Sequence, residues 1–277
     1  MDLIEAILVA LIQGATELFP VSSLGHAVIL PALLHLSLDE KAPEFLPFLV
    51  LLHLGTAAAL LLYFWHDWWL LLIGALGISS PHQRQESRRV ILLIIVATIP
   101  AIVVGFLLEK FLRGLFGAPV VAAAFLVLNG LMLAVGERIR TMGHRPLSTL
   151  SVMDAFIIGC CQCAALIPGV SRSGATIVGG LLRGVDHEGA AHFSFLIATP
   201  IILGATVLEV PKLLKAGVPP GVLANASIAA VVAAVTALLT TWFLMRYFRR
   251  NDDMALNPFA AYCVVAGLGA MAWLLFR

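Results

Sequence analysis

Glu17-Leu-Phe-Pro-Val-Ser-Ser-Leu-Gly-His26 and Pro168-Gly-Val-Ser-Arg-Ser-Gly-Ala-Thr176 are two polar stretches set in otherwise apolar sequence. A shift of 149 positions carries Val21, Ser22 and Gly25 onto Val170, Ser171 and Gly174, and carries Leu54-Gly55 onto Leu203-Gly204. One offset serving two separated patches implies an internal repeat. Each copy puts hydroxyls and a charged or titratable side chain where lipid is expected. Polar groups at that depth are expensive, so they mark a site.

The surrounding composition is that of a membrane protein. Hydrophobic residues make up 61% of the chain and charged residues 12%, against about 25% charged in soluble domains. Mean hydropathy is +1.01. A net charge of +1 without a concentrated basic face excludes a nucleic-acid partner. No cleavable signal is expected, because the start lacks basic residues and its apolar run leads straight into the first motif. Cys160, Cys161, Cys163 and Cys263 lack metal-finger spacing and read as small residues that permit close helix packing.

Six segments are long enough to cross a bilayer: 45–65, 90–108, 118–136, 190–210, 222–245 and 256–276. Two more, about 1–35 and 152–184, are apolar but broken in the middle by the two motifs. Each half of a broken segment is too short to cross, so each reads as a re-entrant helix hairpin whose polar turn is buried in protein or faces a cavity. The expected fold is therefore an all-α polytopic membrane protein in one domain, 1–277, with six transmembrane helices plus two re-entrant hairpins. Residues 1–149 and 150–277 each hold one hairpin and three spans. An odd number of spans reverses the second half, giving inverted-topology repeats whose broken segments meet near the midplane.

Orientation follows from Lys and Arg. Arg84, Arg88, Arg89, Arg138, Arg140, Arg145, Arg183, Arg246, Arg249 and Arg250 fall on one side, and Lys41, Lys110, Arg113, Lys212, Lys215 and Arg277 on the other. The richer side is expected to be cytoplasmic, which puts both termini outside. Arg172 belongs to the second turn.

The first motif carries a carboxylate, hydroxyls and an imidazole. Gln13 and Glu17 share one helix face, Pro20 and Gly25 bracket the break, Ser22 and Ser23 occupy the turn, and His26 opens the exit helix. These are the parts of an activated nucleophile or an acid–base pair. The second motif is basic: Ser171, Arg172, Ser173 and Thr176 flank Gly169 and Gly174 before another helix. Glycine lets backbone N–H groups approach a ligand, a helix N-terminus attracts an anion, and a guanidinium fits phosphate oxygens. An Arg172–Glu17 pair tying the hairpins together is the structural alternative, and both can hold. The combination points to hydrolysis of a phosphate ester or anhydride whose remainder lies in lipid.

At these residues the chain resembles the undecaprenyl pyrophosphate phosphatases of the bacterial cytoplasmic membrane, the bacitracin-resistance family. Gln13-Gly-Ala-Thr-Glu17 matches its Glu/Gln-x-x-x-Glu motif, Pro20 to His26 its Pro-Val-Ser-Ser-x-Gly-His, and Pro168 to Thr176 its second motif. Gly159 to Cys163 fits the stretch before it. The resemblance implies removal of the terminal phosphate from undecaprenyl pyrophosphate, recycling the carrier used in peptidoglycan synthesis. It also implies a divalent cation, Mg2+ or Ca2+, and a site opening on the outer side of the inner membrane. On this reading Arg172, Ser171, Ser173, Thr176 and Gly174 hold the pyrophosphate. Ser23, or else Ser22, is the nucleophile, His26 the acid–base, and Glu17 orients it or holds the cation with Gln13. A nucleophilic His26, or water activated by it, stays open. Gln13 stands where the family often has Glu, which removes one negative charge. Expected partners are the lipid pyrophosphate and membrane lipids, with a homodimer left open.

A transporter or flippase of prenyl phosphate lipids is the rival, since paired broken helices are also a transporter architecture. His53, mid-span, is open between reaching the site and bonding a neighbouring helix. Trp65, Trp68 and Trp69 read as interfacial anchors, Arg84, Arg88 and Arg89 as a short basic loop, and Asp154 and Glu209 as interfacial.

Overall fold

A computed structural model describes residues 3–34, 45–115, 118–141, 143, 145–215 and 220–276. All regular structure among them is helical. In chain order the α-helices are α1 (Leu3–Thr16), α2 (Ser23–Leu34), α3 (Phe45–Tyr63), α4 (Trp65–Ala75), α5 (Pro81–Leu107), α6 (Glu109–Leu115), α7 (Pro119–Ile139), α8 (Val152–Cys163), α9 (Arg172–Leu182), α10 (His187–Lys215), α11 (Pro220–Arg250) and α12 (Asn257–Phe276).

Among the described residues, five helices are long and apolar enough to cross a bilayer: Pro81–Leu107, Pro119–Ile139, His187–Val207, Leu223–Arg250 and Asn257–Phe276. The segment expected at 45–65 differs. Phe48–Tyr63 bends by 76° into Trp65–Ala75, leaving Trp65 and Trp69 exposed while Trp68 packs against the core. Large apolar side chains such as Phe106, Val231 and Val265 project outward from the long helices, as lipid-facing surfaces require. The chain is a multi-pass membrane protein.

Helix starts follow local capping. Ser80 accepts the Gln83 N–H and Pro81 occupies the first turn, so α5 begins nine residues before the expected span. Arg84, Arg88 and Arg89 therefore ride the first turns of a helix, where a loop was expected, and Arg89 donates to the Leu150 carbonyl at 2.9 Å. Asp154 is buried. It completes a capping box with Ser151 and accepts from Arg145 and Arg183 at 3.0 and 2.6 Å. The side chains of Lys41, Lys110, Arg113, Glu209, Lys212, Lys215 and Arg277 lie outside the described residues.

Helix pairs in lipid associate through close packing, because hydrocarbon is as apolar as leucine. α7 packs on α12, α11 on α3 and α1, α5 on α8, and α10 on α3 and α9. At Gly55 the approach of α3 to α11 is so tight that an added Cβ would collide with the Ala230 carbonyl oxygen. The four cysteines are free thiols. Cys263 is buried and accepts from Asn129 at 3.3 Å, in keeping with a packing role.

Candidate active site

The first turn grows from the end of α1. The Glu17 N–H still bonds to the Gln13 carbonyl at 2.9 Å, and the Gln13 amide donates to Glu17 Oε2 at 2.9 Å. The chain then breaks. Ser22 sits at φ +67°, a left-handed conformation that costs a non-glycine residue roughly 1–2 kcal/mol. Its Oγ accepts the Gly25 N–H at 3.1 Å and starts α2. Ser23, first residue of α2, donates its hydroxyl to Glu17 Oε2 at 2.6 Å.

The second turn repeats the device. Ser171 Oγ accepts the Gly174 N–H at 3.1 Å and starts α9, after Gly169 at φ +103°. Arg172, first residue of α9, donates from Nη2 to Glu17 Oε1 at 2.6 Å. The turns lie back to back: a Cβ on Gly25 would fall 2.9 Å from Gly169 Cα, and one on Gly174 would fall 3.3 Å from Pro20 Cβ. Asn129, buried in α7, joins them. Its amide donates to the Pro20 carbonyl at 2.9 Å and its Oδ1 accepts the Ser171 N–H at 2.9 Å. Asn129 escaped the sequence reading; its one signal is a lone amide within the apolar run of 118–136.

Glu17, Ser22, Ser23, Ser171 and Arg172 line a cavity of about 330 Å³ whose other walls are largely apolar, with Leu166 and Ile201 among them. His53 also lines it, with Nε2 3.4 Å from Glu17 Oε2. Of the two readings left open for His53, the structure places it at the site. One atom of Arg172, Nη1, is buried with no hydrogen-bond partner among the described residues.

Other expected site residues sit elsewhere. Ser173 donates to the Phe19 carbonyl at 3.1 Å, and Thr176 to the Arg172 carbonyl at 2.8 Å, so both hydroxyls tie backbone together away from the cavity lining. Gly174 gives its N–H to the Ser171 cap. His26 is not brought to Ser23. Its Nδ1–H donates to the Ser22 carbonyl at 2.7 Å, and its Nε2 meets the Tyr262 hydroxyl of α12 at 2.8 Å. A carbonyl only accepts, so the proton is on Nδ1 and Tyr262 donates to Nε2.

No group of three or more His, Cys, Asp or Glu side chains is placed to hold a metal ion among the described residues. Glu17 lines the cavity, and the buried Gln13 amide donates to its carboxylate. Carboxylate and amide oxygens are ligand types that a hard cation accepts, with water and substrate oxygens completing the shell of Mg2+. A second polar cluster joins buried Glu137 and His187 to half-exposed Asp252, with His187 Nε2 to Glu137 Oε2 at 2.9 Å and Nδ1 to Asp252 Oδ1 at 2.7 Å. Asp252 follows α11; burial pushes its carboxyl up, but the His187 hydrogen bonds outweigh that and hold it below the usual carboxylate range.

Known proteins align along the whole chain. A protein of Granulibacter bethesdensis named undecaprenyl-diphosphatase is 64% identical over 289 residues, covering 100% of this chain and 98% of the relative. One of the same name from Acidiphilium cryptum is 54% identical, covering 95% of this chain and 94% of its own length. An undecaprenyl-diphosphatase 2 of Chromobacterium violaceum is 47% identical, covering 97% of each. The family described as bacitracin resistance protein BacA matches residues 6–269, and with nearly the full length matched the chain belongs to that family.

Proposed function

We propose that the cavity hydrolyses undecaprenyl pyrophosphate, the substrate class its relatives are named for, to undecaprenyl phosphate and inorganic phosphate. This recycles the lipid carrier for peptidoglycan synthesis and accounts for bacitracin resistance. The observation that carries the reading is Glu17, whose two oxygens take Ser23 Oγ and Arg172 Nη2 at 2.6 Å each. Buried donors are nearly always paired, so the unpartnered Arg172 Nη1 is suited to a phosphate oxygen, and a guanidinium binds phosphate in a two-pronged fashion.

In the reaction, Arg172 turns from Glu17 to the arriving phosphate and leaves the carboxylate free. Glu17 accepts the Ser23 proton as Ser23 Oγ bonds to the terminal phosphorus. The bridging P–O bond breaks, and its electron pair leaves with the prenyl monophosphate. Water then attacks the phosphoserine; Ser23 Oγ leaves as a hydroxyl with the proton Glu17 holds, and the water's protons leave on the released dihydrogen phosphate. The His26–Tyr262 bond supports a role for His26 in holding the Ser22 turn rather than in this transfer. Glu17 and Gln13 would hold a Mg2+ or Ca2+ ion, which when bound neutralises pyrophosphate charge.

The accompanying layout is six crossings plus two re-entrant hairpins in inverted repeats, residues 1–149 and 150–277. Paired contacts support it. Gly25 meets Gly169 while Pro20 meets Gly174, and α1 packs on α11 while α8 packs on α5. The Arg-rich ends are cytoplasmic on this reading, and the site opens on the periplasmic side of the inner membrane.

The test is phosphate release from a long-chain prenyl pyrophosphate by purified protein in detergent, with and without EDTA, for wild type, Arg172→Ala and Ser23→Ala. Cation-dependent release that collapses in both variants is expected. Release surviving in Ser23→Ala moves the attack to water, Ser22 or His26. No release from well-folded wild type promotes a flippase.

A further inference from the structure

We propose that His53 is a positioning residue of this site, holding the Glu17 carboxylate on the Ser23 hydroxyl; the proposal rests on the phosphatase reading above. His53 belongs to α3, outside both turns, yet its Nε2 lies 3.4 Å from Glu17 Oε2, the same oxygen that accepts from Ser23. The ring is pinned from behind: Nδ1–H donates to the Leu49 carbonyl one turn earlier at 2.7 Å. Nδ1–H takes the Leu49 carbonyl, and Nε2 faces Glu17 Oε2 at ion-pair distance, so the doubly protonated ring points an N–H at each acceptor.

Packing does not require an imidazole here. The 149-residue offset carries His53 onto Ile202, which lines the same cavity from α10. A polar ring within a membrane span is costly where an apolar one would do. What it contributes is persistence. When Arg172 moves to phosphate, Glu17 loses the partner on Oε1; His53 and Gln13 still hold Oε2 in line with Ser23 while the proton transfers. His53 thus compensates from a third element for the mobility the reaction demands of Arg172.

The direct test grafts the residue of the second half into the first: His53→Ile, with His53→Gln restoring an N–H donor, both assayed as full-length protein in detergent with cation. Loss of a hydrogen-bond donor to a charged group predicts kcat about 10- to 100-fold lower in His53→Ile. KM stays within about twofold, because a group that aligns the base acts on the chemical step. His53→Gln recovers most of kcat, and all three proteins keep similar thermal midpoints. The proposal is overturned by kcat unchanged in His53→Ile, by a rise in KM alone, or by His53→Gln doing no better than His53→Ile. An unfolded His53→Ile also overturns it, since packing would then be what demands the ring. Failure of wild type to release phosphate is the separate failure of the phosphatase reading.

Discussion

At the first turn the residue after the capping serine is Ser23; at the second it is Arg172, 149 positions on. The caps themselves are alike, Ser22 to Gly25 and Ser171 to Gly174 at 3.1 Å each. Each cap starts a helix whose first side chain points back at Glu17, one to each oxygen at 2.6 Å. Glu17 has Leu166 as its counterpart, His53 has Ile202 and His26 has Ala175. The two turns thus share a serine cap, on a left-handed backbone at Ser22 and an extended one at Ser171, and differ in side chains: carboxylate, hydroxyl and imidazole on one, a guanidinium on the other. Neither half alone holds a site. Two like helix starts converge on one carboxylate, and they differ at the single positions that carry polar side chains.

The strongest way to break this comparison is to remove both first side chains. Ser23→Ala and Arg172→Ala are each expected to lower phosphate release by about 10³-fold or more, with the double variant little worse, because residues that act as a unit are grossly non-additive. A double variant whose loss is the product of the singles, in the same release assay, would show two independent turns. Next comes the staple between them. Asn129→Leu strands the Pro20 carbonyl and the Ser171 N–H, and is expected to cost about 2–4 kcal/mol, read as a lowered thermal midpoint in detergent. An unchanged midpoint would show that the turns are held by their backbone contacts alone.

Matched glycines sharpen the comparison further. An added Cβ at Gly55 meets the Ala230 carbonyl, whereas at Gly204 nothing among the described residues lies within 4 Å. Gly55→Ala is expected to destabilise by about 1–3 kcal/mol. Gly204→Ala should stabilise slightly, by up to about 1 kcal/mol, since alanine is the better helix former. Equal effects would mean the two halves pack alike. The smallest expected effect is Tyr262→Phe, which strips the hydroxyl from His26 Nε2 at about 1 kcal/mol of stability with release nearly unchanged. A large fall in release with a displaced pH profile would instead place His26 in the chemistry.

Much of this was legible in the chain. Long apolar runs with Pro, Ser and Gly at two breaks dictate a helical membrane protein with two interrupted segments, because backbone polar groups in lipid must bond within helices. Helix limits were harder where a cap overrides hydropathy: Ser80-Pro81 starts α5 well before its apolar run, and the bend after Tyr63 shortens α3. Trp68 shows the same limit, since its type suits an interface and its position on α4 turns it inward.

The residue types able to handle a phosphate were determined by the sequence itself, since Glu17, Ser23 and Arg172 are rare and costly in such surroundings. Which of the hydroxyls face the cavity was decided only in three dimensions. Ser171, Ser173 and Thr176 read alike in a motif and all three hydroxyls meet backbone carbonyls, but only Ser171 lines the cavity. Asn129 and His53 look like isolated polar residues in apolar spans until α7 and α3 pack against the turns. The helix turn and the break after it already bring Gln13 and Ser23 to Glu17; contact with His53 of α3, and with Arg172 more than a hundred residues on, is set by how whole helices cross.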